Sequence, residues 1–493
     1  MDLIWIYNHT LLLSSENRRE RRAASASPSR AARYTATADM DAIRQALDVT
    51  PRPANAKAVG YGTAGFRGCA EGGLMDHIFL RCGALAYLRA AKLGTTTGCM
   101  VTASHNAEPD NGVKICESGG DMMAAAWEPR AAELANLEST DAVVSWFEAL
   151  AAEEGFALGG AGVEVYVGMD TRPTSPYLTD LVIKGVEALG GSVVNYGLLT
   201  TPQLHHCVRI RNAPGFEGPS PPEEGYFEQL VASYAMVTPN KSECSLHVDC
   251  SKGIGAPKLA VLAERLASSV TIESFNVDGS VNEGCGAEHV QKGRVFPCGV
   301  DPQADVGKRM CSMDGDADRL VYFYVQDGGA LGLVDGDKIA ALFAGFIKAQ
   351  LDAAGLTDNI TIGCVQTAYA NGASTDYLKD VVGVPVEFVP TGVKHLHKKA
   401  HDFDIGVYFE ANGHGTVLFG PKALAAIEAA ATAAAAVRHP GAAGGDALIV
   451  LKGLTLLINQ AVGDALSDLL AVEAILSSSA ANTPSTIQEW DAL

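Results

Sequence analysis

The chain has 493 residues, 47% hydrophobic and 19% charged, the balance of a globular protein with large cores, and its 52 glycines suit a loop-rich α/β architecture. A net charge of -20 argues against a nucleic-acid footprint and against binding to an anionic membrane, so an anionic substrate has to be met by a local basic cluster. Eleven cysteines, an odd count with no C-x-x-C pair, point to free thiols in a reducing compartment, and no apolar run reaches the ~18–20 residues a membrane helix needs.

Residues 1–39 carry Arg18-Arg19-Glu20-Arg21-Arg22 and a Ser/Ala/Arg/Pro mixture, read as a disordered or dubious extension. An organellar transit peptide is opposed by Asp2, Glu16 and Glu20. Met40 opens the first globular segment. Tyr61–Gly68 is a loop of small residues in which backbone can approach a ligand while Arg67 pairs with phosphate. Cys99-Met100-Val101 ends a strand that leads into Thr102-Ala103-Ser104-His105-Asn106 and then Asp110–Lys114. A serine leaving a strand beside His105 and Lys114 suits a group that accepts and releases an anion.

Val163–Val167 reads as a buried strand. The run Tyr177–Leu189 has apolar residues at helical spacing, Gly190-Gly191 stops it, and Val193-Val194 begins another strand. Between them, Gly168–Arg172 ends the first strand, with Arg172 read equally as a brace for Asp170 or as a ligand contact. Gly215–Glu224 is a loop. Two further units follow: Leu246–Asp249, helix Leu259–Ala267 and Val270–Ile272; then Leu320–Val325, helix Asp337–Leu351 and Ile360–Val365. Strands alternating with helices imply doubly wound sheets with functional loops at the carboxyl ends of strands.

In Asp314-Gly315-Asp316-Ala317-Asp318-Arg319 alternate residues of an extended loop point one way, so three carboxylates can converge on a hard cation. A few carboxylates with room for a substrate phosphate suit Mg²⁺. An EF-hand is excluded, because its glycine and glutamate positions hold Arg319 and Val325. Thr391-Gly392-Val393-Lys394-His395 reads equally as an anion contact or a solvated basic turn, and His395, His397 and His401 match no strong zinc signature. Glu410-Ala411-Asn412-Gly413-His414, between Ile405–Tyr408 and Thr416–Phe419, offers donors and acceptors for sugar hydroxyls, or is a plain hairpin turn. Gly441–Gly445 is a flexible break, and Ile458, Val462, Ala465, Leu469, Val472 and Leu476 predict one face of an amphipathic helix.

Together YGTAGFR, VTASHN…DNGVK, VDCSKGIGAPKL, CSMDGDADR, VQTAYANG, TGVKHLH, FEANGHGT and NQAVGDALSDLL resemble the α-D-phosphohexomutase superfamily, from about Met40 to Leu493. Within it they are most similar to the eukaryotic phosphoacetylglucosamine mutases. In the other branches the G-x-D-x-R strand end precedes the serine loop; here Asp170-Thr171-Arg172 follows Ser104, and Asn412 also fits the acetylglucosamine branch.

The resemblance implies three consecutive doubly wound mixed-sheet α/β domains around a central cleft, over 40–205, 206–334 and 335–455, with 456–493 a helix and linker stub. The fourth, phosphate-gripping domain is expected to be absent, since no Ser-Gly-Thr occurs, and the polypeptide is then expected to be weaker than its relatives. Position 107 is Ala where the family has Pro, which implies a small loop change.

The implied activity is interconversion of N-acetylglucosamine 6- and 1-phosphates in UDP-N-acetylglucosamine biosynthesis, through phosphorylated Ser104 and a bisphosphorylated sugar. One Mg²⁺ would be held by Asp314, Asp316, Asp318 and the Ser104 phosphate. Arg67, His105, Lys114 and Arg319 would surround the transferring group, with Lys114 or His105 as acid–base. Glu410, Asn412, Gly413 and His414 would hold the sugar, with Thr391, Lys394 and His395 near it. The implied partner is a small sugar phosphate, with no nucleic acid or membrane, in a cytoplasmic monomer. The alternatives are a mutase for glucose, mannose or glucosamine phosphate, and an inactive truncated remnant that binds Mg²⁺ and sugar phosphate.

Overall fold

The computed structural model describes residues 40–62, 65–159, 162–218, 220–238, 245–437, 445–478 and 483–493. The 1–39 extension, Thr63-Ala64 and the break at 441–444 lie outside the described residues. The chain divides into two compact units, one ending at Pro222 and one beginning at Glu223.

The first unit is built on a five-stranded sheet of order β1-β3-β2-β4-β5. Its strands are β1 (Phe66–Cys69), β2 (Thr97–Val101), β3 (Asp110–Cys116), β4 (Glu164–Met169) and β5 (Ser192–Leu198). Strands β2, β4 and β5 are parallel, β3 runs antiparallel to β2, and β1, paired antiparallel with β3, again follows the direction of β2. The helix Ser175–Glu187, with a proline in its first turn, returns the chain from β4 to β5, as its apolar spacing predicts. Its buried Leu178, Leu181, Val182 and Val186 join Val101, Val113, Val165 and Val167 in one core. Helix Thr201–Arg211 is an element the sequence reading lacked. It opens on a capping box between Thr200 and Gln203, packs Leu204, Cys207 and Val208 on Met100 and Tyr166, and spans the expected 205/206 boundary.

The second unit holds two sheets around a shared apolar core. One has the order β10-β9-β8-β6-β7, with β6 (Ser245–Asp249), β7 (Thr271–Phe275), β8 (Met310–Met313), β9 (Leu320–Val325) and β10 (Leu331–Val334). The other has the order β12-β11-β13-β14, with β11 (Ile362–Thr367), β12 (Val386–Val389), β13 (Ile405–Phe409) and β14 (Gly415–Phe419). Each of the three sheets has three parallel strands and then an antiparallel neighbour on one side: β3 beside β2, β9 beside β8, β14 beside β13. The three motif loops are the tips of these equivalent hairpins.

One predicted element is corrected. The steps of three and four from Ile458 to Leu476 do not form a single amphipathic helix. Helix Ala465–Leu476 starts at the N-cap Asp464 and is buried on all sides, and Ile458–Gly463 is a loop whose Gln460 side chain bonds β14. Among the described residues no helix is long and apolar enough to cross a membrane.

Candidate active site

In the first unit the serine loop is held from below. Asp170, at the end of β4, accepts from Thr102 Oγ1 at 2.7 Å, and Thr102 Oγ1 accepts from the Ser104 amide at 2.9 Å. Ser104 is buried and adopts φ 54°, a left-handed conformation rare outside glycine and asparagine. Such strain persists only where surroundings enforce it, and Arg172 does so. Its Nη2 donates to the Ser104 and Asn106 carbonyls at 2.9 and 2.7 Å, and its Nη1 to those of Ala107 and Asp110 at 2.7 and 2.9 Å. Its Nε pairs with Asp170 at 3.0 Å, both side chains being inaccessible to solvent. Burial raises the Asp170 carboxyl, opposed by Arg172, Ser175 and Thr102. Arg172 is therefore the brace of the loop, which settles the question its sequence context left open. At Ala107 the loop closes in a turn, with the Asp110 amide donating to the Ala107 carbonyl at 3.0 Å.

His105 Nδ1 stands 3.4 Å from Ser104 Oγ and 3.5 Å from Arg67 Nη1. Arg67 on β1 lies opposite Gly112 of β3, and Lys114 pairs with Met100 of β2. Directly opposed residues share a face and side chains alternate along a strand, so Arg67 and Lys114 face the same side. The first unit thus brings Ser104, His105 and Arg67 together, with Lys114 on the sheet face that Arg67 shares.

In the second unit Asp314, Asp316 and Asp318 are all buried, and each offers a carboxylate oxygen within 4.8 Å of the others. Three buried carboxylates so close repel one another without a cation between them, and an all-oxygen donor set fits Mg²⁺. Asp314 Oδ1 also accepts from the amides of Asp318 and Arg319, and Ala317, at φ 58°, lets the loop turn. A second buried carboxylate plays the part of Asp170 here: Asp249, at the end of β6, accepts from Ser312 Oγ, two residues ahead of Asp314, at 2.7 Å. It also takes the amides of Ser251 and Gly286.

At the third tip Glu410 accepts from the Gly392 amide at 3.2 Å and from Asn412 Nδ2 at 3.3 Å, and Asn412 Oδ1 accepts from the His414 amide. The Thr391–His395 segment is thereby tied to the hairpin, with Lys394 half-buried and Thr391 and His395 exposed. The Gly413 carbonyl accepts from the Leu320 amide at 3.2 Å, which locks this tip to the Asp loop. A Cβ on Gly413, at φ 85°, would fall 2.0 Å from the Leu320 carbonyl oxygen. The loop before helix Ala465–Leu476 wedges both: the Ala465 amide donates to the Ala317 carbonyl, and Thr416 Oγ1 to the Asn459 carbonyl. His397 Nδ1 lies 2.9 Å from the Tyr408 hydroxyl, and burial lowers its ring to about 4.

Sequence reasoning gave no role to Asp249 or to the Asn459–Asp464 wedge, although both lie in motifs that carry the resemblance, VDCSKGIGAPKL and NQAVGDALSDLL, and Gly463-Asp464 ahead of an apolar run marks a helix start.

Comparison with known proteins places this arrangement. Residues 80–140 and 132–216 match the phosphoglucomutase/phosphomannomutase α/β/α domain I. Residues 224–321 and 335–480 match domains II and III of phosphoacetylglucosamine mutase AMG1. The phosphoacetylglucosamine mutase of Sus scrofa is 44% identical over 465 residues, 92% of this chain and 82% of that protein. The Aspergillus fumigatus N-acetylphosphoglucosamine mutase, solved with GlcNAc-6P and magnesium, superposes with a TM-score of 0.82 at 39% identity, over 92% of this chain and 83% of that one. A glucose 1,6-bisphosphate complex from the same organism gives a TM-score of 0.84 at 39% identity, over 92% and 82%. These matches define a mutase of the α-D-phosphohexomutase superfamily. Within it, the chain belongs to the phosphoacetylglucosamine mutase family.

Proposed function

We propose that this protein interconverts N-acetylglucosamine 6-phosphate and N-acetylglucosamine 1-phosphate by phosphoryl transfer through Ser104. The observation that carries it is the serine loop. A buried serine is fixed by Asp170, Thr102 and Arg172 in a strained backbone conformation, beside His105 and Arg67. Phosphoryl transfer asks little covalent chemistry of a protein beyond positioning and pre-placed positive charge, and both are built into the loop.

Ser104, once phosphorylated, gives its phosphoryl group to the free hydroxyl of the 6-phosphate. The serine O–P bond breaks as the sugar O–P bond forms. His105 or Lys114 takes the hydroxyl proton, and the Ser104 oxygen ends protonated. The bisphosphorylated sugar then turns, and the other phosphoryl group returns to Ser104. Arg67 and Arg319 offset charge on the group in flight. Glu410, Asn412, Gly413 and His414 grip the sugar hydroxyls, with Thr391, Lys394 and His395 beside them. Asp314, Asp316 and Asp318, with the Ser104 phosphate, would hold Mg²⁺, which supplies positive charge to the phosphate oxygens. The ten described cysteines are free thiols, which suits a cytoplasmic enzyme, and we take it to act as a monomer.

The test offers the 6-phosphates of N-acetylglucosamine, glucosamine, glucose and mannose with Mg²⁺ and a trace of bisphosphate, and follows each 1-phosphate by ³¹P NMR. The N-acetylglucosamine ester should turn over with the highest kcat/KM. A preference for glucose or mannose would overturn the substrate assignment. Light scattering on the eluting protein checks the monomer.

A further inference from the structure

Arg319 stands beside the Asp cluster without being bonded to it through its Nε. That nitrogen lies 3.8 Å from Asp314 Oδ2 and 3.7 Å from Asp318 Oδ1, and it makes no hydrogen bond. What holds the guanidinium is Glu288, a residue without a role in the chemistry above. Arg319 Nη1 donates to Glu288 Oε2 at 3.0 Å, and Glu288 Oε1 takes Lys292 Nζ at 2.5 Å. Glu288 sits in the first turn of helix Ala287–Gly293. The start of that helix is fixed by the Gly286 amide on Asp249 Oδ2 at 2.7 Å, the same oxygen that takes Ser312 Oγ below the Asp loop. The Glu288 carboxylate is therefore held on the framework that carries the cluster.

A guanidinium presents its donors in a rigid fork that matches carboxylates. Moved inward by less than an ångström, Arg319 would reach hydrogen-bond distance of two of the three aspartates. It would then occupy oxygens that a divalent cation needs, in charge-assisted bonds that the cation would have to break. The pull from Glu288 opposes that collapse. We propose that Glu288 is a positioning residue that tethers Arg319 off the Asp314–Asp316–Asp318 cluster, keeping those carboxylates open to a divalent cation. The tether rests on the reading of the cluster as a metal site.

Mn²⁺ serves as the probe, titrated into purified full-length protein while the EPR signal of free Mn²⁺ is followed. Glu288→Gln should raise the Kd for Mn²⁺ about five- to tenfold, the order of one charged hydrogen bond lost to competition. In an Arg319→Gln background the same substitution should change Kd by less than about twofold, because nothing is left to tether. An unchanged Kd in Glu288→Gln overturns the proposal. So does an equal rise in both backgrounds, since Glu288 would then act only through its charge. Asp316→Asn tests the metal site itself: Mn²⁺ binding that survives this change defeats the metal reading, whatever Glu288 does. Circular-dichroism melts establish that each variant is folded before its Kd is compared.

Discussion

Arg172→Met removes the brace of the serine loop. The side chain is fully buried and donates to four loop carbonyls as well as to Asp170. Methionine keeps the apolar stem and deletes every donor. Asp170 is then left as a buried carboxylate without its ion-pair partner, and breaking a buried pair from one side costs about 3–5 kcal/mol. The carbonyls of Asn106 and Ala107 can recover water, because the loop is partly exposed there, so they add little. For a unit of this size each kcal/mol shifts Tm by about 2–4 °C, which predicts a fall of about 6–20 °C. Adding Asp170→Asn removes the stranded charge and should restore at least about 1 kcal/mol of the loss. Differential scanning calorimetry measures both, and ³¹P NMR follows turnover, which should fall in both variants because the Ser104 carbonyl has lost its donor. A Tm within about 2 °C of wild type for Arg172→Met would refute the assignment of Arg172 as the brace. So would a double variant no more stable than the single one.

Two further outcomes are expected. Burial pushes the Asp337 carboxyl up to about 6, against the Asn371 amide on its Oδ2, and its Oδ1 has no hydrogen bond. The native state thus holds this proton more tightly than the unfolded chain does, so the stability it contributes is full below about pH 4 and is lost as pH rises to about 6. Asp337→Asn should abolish that decline and be the more stable protein at pH 7 by about 1–3 kcal/mol, read from urea melts across pH; a variant less stable than wild type at pH 7 contradicts this. At Gly463 a Cβ would fall 2.5 Å from His414 Cδ2 and 2.7 Å from the Asp318 carbonyl oxygen. Gly463→Ala should therefore displace the metal loop and the sugar hairpin together and lower kcat/KM about 10- to 100-fold, with a raised Mg²⁺ requirement; unchanged steady-state kinetics would show the wedge to be irrelevant.

Much of this fold is visible in the chain, and the exceptions have physical reasons. The unit β4, helix Ser175–Glu187 and β5 is legible because its apolar residues recur at periods that the core enforces. The Asp loop is legible because three carboxylates at alternate positions have few other uses. The strand Asp110–Cys116 is not assigned from the sequence, because its strand character comes from pairing between β1 and β2 rather than from its own composition. Ile458–Leu476 misleads in the opposite way. Its spacing mimics a helical face, while Asn459 and Gln460 spend their side chains bonding neighbouring backbone. Glu288 is an ordinary charged residue in the sequence and Arg172 reads there equally as a brace or a ligand contact, so burial and distance are what single out the brace and the tether.

The most direct test of the central claim is the rate of N-acetylglucosamine 6-phosphate conversion to the 1-phosphate by wild type and by Ser104→Ala. Both proteins are assayed with Mg²⁺ and a trace of bisphosphate, followed by ³¹P NMR. Interconversion by the wild type, lost to the detection limit in a variant with the same melting temperature, is the predicted result. Wild-type turnover in Ser104→Ala would contradict phosphoryl transfer through this serine.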